Sequence, residues 1–249
     1  MRGAALVTGA GRRIGRALAL ATAEAGYDVA VHYRSDGRDA EATVRDIQAM
    51  GRRAEAFSAD LSREDEAAAL VGRVAAALGP LTLLVNNASH FADDRAGSLS
   101  RASWDAHIET NLRAPIVLAE AFAAQAPVSG DLLILNILDQ RVWKPNPHFF
   151  SYTLSKSALW TATRMLAQAL APRIRVNAIG PGPTLASPYQ AEGEFDAEAA
   201  ATLLGHGAPP ADIAAAARYL IDASAVTGQM IAVDGGQHLA WKTPDIIED

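Results

Sequence analysis

The sequence predicts an α/β protein with a doubly wound parallel sheet and helices on both faces. Three observations predict it. Short apolar runs alternate with longer amphipathic segments along the chain. A glycine-rich turn joins the first run to the first helical segment. The 249 residues suit one larger domain, and neither an internal repeat nor a low-complexity linker divides them.

The apolar runs Ala4–Thr8, Asp28–Tyr33, Ala54–Ser58, Leu81–Asn86, Asp131–Ile137, Arg175–Ala178 and Met230–Val233 read as seven strands. Helical periodicity lies near 14–25, 38–50, 63–78, 100–125, 151–171 and 211–222. Repeated strand–helix alternation with short connections implies parallel strands and right-handed crossovers. Ser62 and Asp65 have the spacing of a capping box. Gly26 and Gly51 follow helical runs and suit left-handed caps. The stretch 183–209 breaks the rhythm, being rich in Pro, Gly and Ala with only a short helical pattern near 195–204. A long irregular insertion in a compact domain is usually functional or mobile, and a substrate lid is expected there. Residues 1–249 are read as a single domain.

Half the residues are hydrophobic, enough for a large core. The net charge of -6 argues against nucleic-acid or membrane-surface partners. With no cysteine, disulfides, thiolate metal sites and cysteine nucleophiles are excluded. No apolar run approaches the roughly 20 residues of a membrane span. Residues 1–3 lead directly into an apolar strand and leave no room for a signal peptide, so a cytoplasmic location is expected. His90 and His148 have no paired-ligand spacing, and no metal is expected.

Thr8-Gly9-Ala10-Gly11-Arg12-Arg13-Ile14-Gly15 follows the first strand and opens a helix. Glycines let backbone approach a pyrophosphate, and a helix N-terminus offers free N–H groups and a positive dipole end. Ile14 occupies the third glycine position of the literal G-x-G-x-x-G, so the pattern here is Gly9-x5-Gly15. The second strand ends His32-Tyr33-Arg34-Ser35, with no carboxylate until Asp36. A carboxylate at that strand end would grip the ribose hydroxyls of NAD, whereas an arginine accommodates the 2′-phosphate of NADP. Arg34 can pair bidentately with phosphate, Ser35 can donate one more hydrogen bond, and Arg12 and Arg13 add charge nearby. NADP(H) is therefore expected over NAD(H).

Tyr152 and Lys156 stand four residues apart, which puts them on one helical face. With five tyrosines and three lysines in the chain, chance would supply about 0.06 such pairs. A nearby ammonium is expected to lower the phenol's pKa and ready Tyr152 as a proton donor. Asp139 lies thirteen residues before the tyrosine. A carboxylate accepts well from an amidine-like edge carrying N–H donors but repels a developing ketone oxyanion. Asp139 therefore points to a nitrogen heterocycle.

Thr8-Gly9-x-x-x-Arg13-Ile14-Gly15, Asn86-Asn87-Ala88, Asn111, Tyr152-x-x-x-Lys156, Pro181-Gly182 and Asp234-Gly235-Gly236 resemble the short-chain dehydrogenase/reductase family in order and spacing, nearly end to end. The resemblance implies a seven-stranded Rossmann sheet. It implies that Lys156 reaches the nicotinamide ribose, that Asn111 kinks its helix and helps hold a proton-relay water, and that Asp60 and Leu61 contact the adenine. Asn87 and Ala88 would line the cofactor ribose, and Pro181 and Gly182 the nicotinamide. Where the family usually has Gly and Ser, this chain has Arg13 and Asp139. Both departures, with His32-Tyr33-Arg34-Ser35, Ser89-His90-Phe91 and Asn136-Ile137-Leu138-Asp139, resemble the pteridine reductase branch, including dihydromonapterin reductases. That branch implies that Arg13 touches substrate and cofactor phosphate, that Phe91 stacks on a pterin opposite the nicotinamide, and that Ser89 bonds pterin or phosphate. An offset aromatic contributes about 0.5–1.5 kcal/mol beyond area burial.

The expected activity is an NADPH-dependent reductase of a dihydropterin-like ring, with Thr184 in the lid as a further substrate contact. A reductase of another carbonyl or imine is the first alternative. A non-catalytic NADP(H)-binding regulator is the second, and the intact Tyr/Lys pair speaks against it. The resemblance also implies a homotetramer built through the helices near 100–125 and 151–171, with the last strand and the C-terminus supporting a second interface. Trp160 and Phe122 could serve interface or core, and the tail after Leu239 could cap a neighbouring active site or be loose.

Overall fold

The computed structural model describes residues 2–187 and 189–242. Seven parallel strands form one sheet in the order β3-β2-β1-β4-β5-β6-β7. They are β1 (Ala4–Val7), β2 (Asp28–Tyr33), β3 (Ala54–Ser58), β4 (Leu81–Asn86), β5 (Leu132–Ile137), β6 (Ile174–Pro181) and β7 (Met230–Val233). The strand order reverses between β1 and β4, and in open α/β sheets ligands bind in the crevice at the carboxyl ends of strands at such a point. Helices α1 (Arg13–Glu24), α2 (Arg38–Ala49), α3 (Glu64–Leu78), α4 (Arg101–Ile108), α5 (Ala114–Gln125), α6 (Phe150–Leu170), α7 (Glu194–Ala200) and α8 (Pro210–Asp222) complete the chain's order.

Alternation along each strand sorts side chains between two cores. From β1, Ala4 and Leu6 join α3 and α5 residues such as Leu70, Val74, Leu118 and Phe122. Ala5 and Val7 face the other way, against Leu18 of α1, Ile47 of α2 and Leu220 of α8. Phe122 is fully buried, which places it in the core; burying such a ring contributes about 1.5–3 kcal/mol. Trp160 is partly buried against a smaller third cluster, where Arg164 approaches its ring. The sheet interior carries a polar relay. Asn86 pairs in register with Asn136 and donates to its Oδ1 at 2.9 Å, and Asn136 donates to Thr163 Oγ1 at 2.9 Å.

Three expectations change. The helical stretch 100–125 is not one α-helix: a π-helical turn, Glu109–Arg113, separates α4 from α5 and contains the buried Asn111. The Ser62/Asp65 capping box does not form. Arg63 takes the N-cap position of α3 without a side-chain cap, and Ser62 instead gives its N–H and hydroxyl to Asp60 Oδ1 at 3.0 and 2.7 Å. The helical pattern near 195–204 shortens to Glu194–Ala200. Gly26 and Gly51, at φ +98° and +79°, occupy the expected left-handed positions after α1 and α2. The ends of 183–209 close on each other, with the Ala208 N–H donating to Pro183 O at 2.8 Å. Trp241 is exposed, and the tail beyond 242, where a capping role was expected, lies outside the described residues.

Candidate active site

The turn after β1 is fixed from below. Gly9 sits at φ +61°, and its N–H donates to His32 Nδ1 at 3.0 Å. His32 Nε2 pairs with Ala59 O at 3.0 Å. Burial pushes His32 down to about 4, so the ring is neutral at neutral pH, accepting at Nδ1 and donating at Nε2. One histidine thus ties the Gly9 turn to the turn after β3. Asn87 secures the other side, donating to Thr8 O at 2.8 Å and Gly9 O at 3.2 Å, while the Asn87 and Ala88 N–H groups both donate to Thr8 Oγ1 at 2.9 Å. A Cβ on Gly15 would fall 2.0 Å from Gly9 O and 2.6 Å from Asn87 Nδ2, so no larger residue fits this close approach. The N-cap Arg12 supplies no side-chain cap, and the first turn of α1 has no acidic residue. A turn of this shape with uncapped N–H groups fits a dinucleotide pyrophosphate. Arg34 and Ser35 stand exposed beyond β2 and Tyr33 packs beneath Gly37, so a 2′-phosphate fits there too.

Arg13 is placed differently from a simple phosphate clamp. It adopts φ +52°, and its guanidinium donates to Leu185 O and Ala186 O, each at 3.1 Å. It therefore joins the phosphate turn to the 183–209 segment. Thr184 Oγ1 donates to Gly182 O at 3.0 Å, beside Pro181 at the end of β6. Leu61 is buried, and Asp60 stands in the turn after β3.

At the other end, α6 presents Tyr152 and Lys156, both buried, toward the end of β5. Tyr152 Oη donates to Asp139 Oδ2 at 3.0 Å, and Asp139 Oδ1 accepts the Arg141 N–H at 2.8 Å. Lys156 Nζ donates to Ile137 O at 2.8 Å and lies 5.8 Å from the centre of the Tyr152 ring. Burial raises the Asp139 carboxyl, with the Arg141 guanidinium opposing. Burial pushes Lys156 down to about 8, with Asp139 opposing. The expected lowering of Tyr152 is corrected. Burial, then the charge and hydrogen bond of Asp139, push this phenol well above its ordinary value. Tyr152 is held as a protonated donor.

Asn111 projects from the π turn onto the same region. Its Oδ1 accepts from the His90 N–H at 2.7 Å and from Ser89 Oγ at 3.2 Å. Its Nδ2 donates to His90 O at 2.9 Å and Ser155 Oγ at 3.1 Å. Phe91 does not present a free face on every side: it stacks on Phe149 at 4.4 Å and meets Tyr152 edge-on at 4.8 Å.

Sequence reasoning missed three groups. His32 entered the sequence reading only as part of the His32-Tyr33-Arg34-Ser35 stretch, with no role of its own. Asp94, Ser151 and His107 form a buried cluster at the start of α6. There Asp94 accepts from the Ser151 N–H and hydroxyl and from Ser103 Oγ, while His107 Nδ1 lies 2.8 Å from Ser151 Oγ. These residues are far apart in sequence and carry no motif. The third is Arg141, in the 3-10 turn Gln140–Val142 that Asp139 caps. Among the described residues no group of three or more His, Cys, Asp or Glu side chains could hold a metal. No helix among them is long and apolar enough to cross a membrane.

Residues 9–238 match a family model described as Enoyl-(Acyl carrier protein) reductase. A crystal structure of FolM alternative dihydrofolate reductase 1 from Brucella suis, in complex with NADP, is 48% identical. It superposes with a TM-score of 0.94 over 98% of each chain. An uncharacterised oxidoreductase of Mycobacterium tuberculosis is 36% identical over 93% of this chain and 90% of its own. A 3-oxoacyl-(acyl-carrier-protein) reductase, FabG, of Staphylococcus aureus is 34% identical over 96% of this chain and 99% of its own. With a family model spanning most of the sequence and such relatives covering nearly all of it, the chain belongs to the short-chain dehydrogenase/reductase family.

Proposed function

We propose that this oxidoreductase is an NADPH-dependent reductase of a dihydropterin-like ring. The observation that carries the reading is the 3.0 Å hydrogen bond from the Tyr152 hydroxyl to Asp139, which sets a phenolic donor and a carboxylate acceptor side by side in a buried site. NADP bound in the Brucella suis structure, at 48% identity, supports the cofactor, as do the uncapped α1 N-terminus and Arg34. The name of that protein, a dihydrofolate reductase, supports a pterin-type ring.

In this reading Gly9, Arg12, Ile14, Gly15, Asn87 and Ala88 hold the pyrophosphate and ribose, Tyr33, Arg34 and Ser35 the 2′-phosphate end, Asp60 and Leu61 the adenine, and Pro181 and Gly182 the nicotinamide. NADPH supplies the hydride when bound. Asp139 accepts from the N–H edge of the substrate and orients it. Tyr152 gives its proton to the ring nitrogen of the C=N bond being reduced. Lys156 holds a positive charge beside the phenol and reaches the nicotinamide ribose, and Asn111 organises proton return. Arg13, Ser89, Phe91 and Thr184 position the ring. The exposed Leu154 and Met165 on α6 support the homotetramer.

The direct test mixes the folded protein, NADPH and a 7,8-dihydropterin and follows the reduced-nicotinamide absorbance. Loss of absorbance is expected; none would contradict the reading. A carbonyl reductase is the second reading, favoured by the 34% identity to a 3-oxoacyl reductase.

Arg34→Ala is expected to lower the preference for NADPH over NADH by about 10–100-fold, the size of a charge-assisted hydrogen bond. Paired KM measurements with the two cofactors check it. The pH profile has a defined alkaline limb. Lys156, lowered to about 8, loses its proton as pH rises through that value, whereas Tyr152, pushed well above its ordinary range, does not. The kcat/KM of the free enzyme is therefore expected to fall above about pH 8. Lys156→Arg, which keeps its charge, is expected to move that limb upward.

A further inference from the structure

Arg141 leads into the same site from the 3-10 turn Gln140–Val142 after β5, and its side chain has entered so far only through its charge on Asp139. Its Nη1 is buried and has no hydrogen-bond partner among the described residues. A buried unpaired donor costs about 1–3 kcal/mol, more for a charged group, so this atom calls for an oxygen acceptor, from a ligand or from solvent. The guanidinium carbon lies 4.9 Å from the centre of the Phe149 ring. Phe149 in turn stacks on Phe91, which meets Tyr152 edge-on. The arginine therefore stands at the far end of an aromatic row that begins at the proton donor.

Phe149 is held there at some expense. It adopts φ +52°, an outlier for a bulky residue. Its N–H donates to Asp93 Oδ1 at 3.2 Å, and the Phe150 N–H donates to Asp94 O at 3.0 Å. Strained backbone of this kind persists only where its surroundings over-determine it, and it clusters at ligand sites. Tyr189, from the 183–209 segment, closes the row with its ring 6.1 Å from Phe149 and 5.9 Å from Phe91.

We infer that Arg141 is a specificity-determining residue that donates a hydrogen bond to an oxygen acceptor on the substituent of a planar substrate. The division of labour is chemical. Asp139 accepts from N–H donors at the ring edge, and Arg141 supplies the complementary donor to a carboxylate or carbonyl oxygen farther out. The inference rests on the reductase reading for its ring, and its test separates the two.

The protein saturated with NADP+ is titrated with pterin-6-carboxylate, 6-formylpterin and 6-methylpterin, and Arg141→Met is titrated in the same way. The wild-type protein is expected to bind an oxygen-bearing analogue at least about tenfold tighter than the methyl compound, as one charge-assisted hydrogen bond predicts. That preference is expected to vanish in Arg141→Met, while any weakening from the missing charge beside Asp139 falls on 6-methylpterin and the other two analogues alike. A preference for the carboxylate alone identifies an anion, and one shared with the formyl compound identifies a carbonyl. Equal affinities in the wild type, or a preference that survives in Arg141→Met, overturns the assignment. A uniform loss for all three analogues would make Arg141 structural and also overturns it. If the wild type binds no pterin, the pterin reading fails, and benzoate against toluene in the same two proteins tests Arg141 by the same outcomes. Should Arg141→Met lose its far-ultraviolet circular dichroism, Arg141→Gln takes its place.

Discussion

Asp139→Ser is expected to lower kcat/KM for a dihydropterin by about 100-fold or more, while turnover of a simple ketone stays level or rises. The loss follows from removing the acceptor proposed to orient the N–H edge. The gain follows from electrostatics on the same atoms. The charge and hydrogen bond of Asp139 both raise the Tyr152 phenol. Serine removes both, so the phenol becomes a stronger acid just where a ketone oxyanion would develop, and the carboxylate that would repel that oxyanion is gone. Kinetics of the two substrate classes on one variant check this. An equal loss for both classes would make Asp139 a structural support, and the carbonyl reading would gain.

Tyr152→Phe is expected to lower kcat by about 10²–10⁴-fold, the usual contribution of a positioned acid. Cofactor affinity is expected to stay within about twofold, because Gly9, Asn87 and Arg34, the proposed cofactor contacts, stand at the other end of the cleft. The ring itself is kept, so its edge contact with Phe91 at 4.8 Å has no reason to change. Isothermal titration with NADPH and single-turnover kinetics separate the two effects. The substitution also strips Asp139 of a hydrogen bond that lowers its pKa, so the carboxyl is expected to titrate higher in the variant. A kcat within tenfold of wild type would remove Tyr152 from the proton path.

Much of this architecture is legible in the sequence because hydrophobic period is a local property. Leu132–Ile137 is buried along its whole length, so a run of apolar residues was sufficient to place β5. The Gly9-x5-Gly15 turn is equally local: the approach of Gly15 to Gly9 tolerates no Cβ, and that constraint is written in the glycine. The break in the helix at Asn111 is not local. The π turn serves a side chain that must reach His90 and Ser155 at once, and its neighbours have ordinary helical character. The failed cap at Ser62 has a similar cause, since Asp60 takes the serine that would otherwise have capped α3.

The electrostatics of the site were the least legible. Spacing puts Lys156 above Tyr152 and suggests a lowered phenol. Once the chain folds, Asp139 accepts the hydroxyl at 3.0 Å while the ammonium bonds Ile137 O, and burial acts on all three groups together. Neither effect has a sequence signature. Arg141 and His32 share that property, because what matters in each is a partner, or a missing partner, that tertiary structure alone supplies.

The most direct measurement is the structure of the protein with NADP+ and a non-reactive pterin. An Asp139 carboxylate oxygen is expected within about 3 Å of a ring or exocyclic nitrogen of the pterin, with the Tyr152 hydroxyl facing the nitrogen to be protonated. A pterin lying elsewhere in the cleft, or an Asp139 that still bonds only Tyr152 and the Arg141 N–H, would contradict the account.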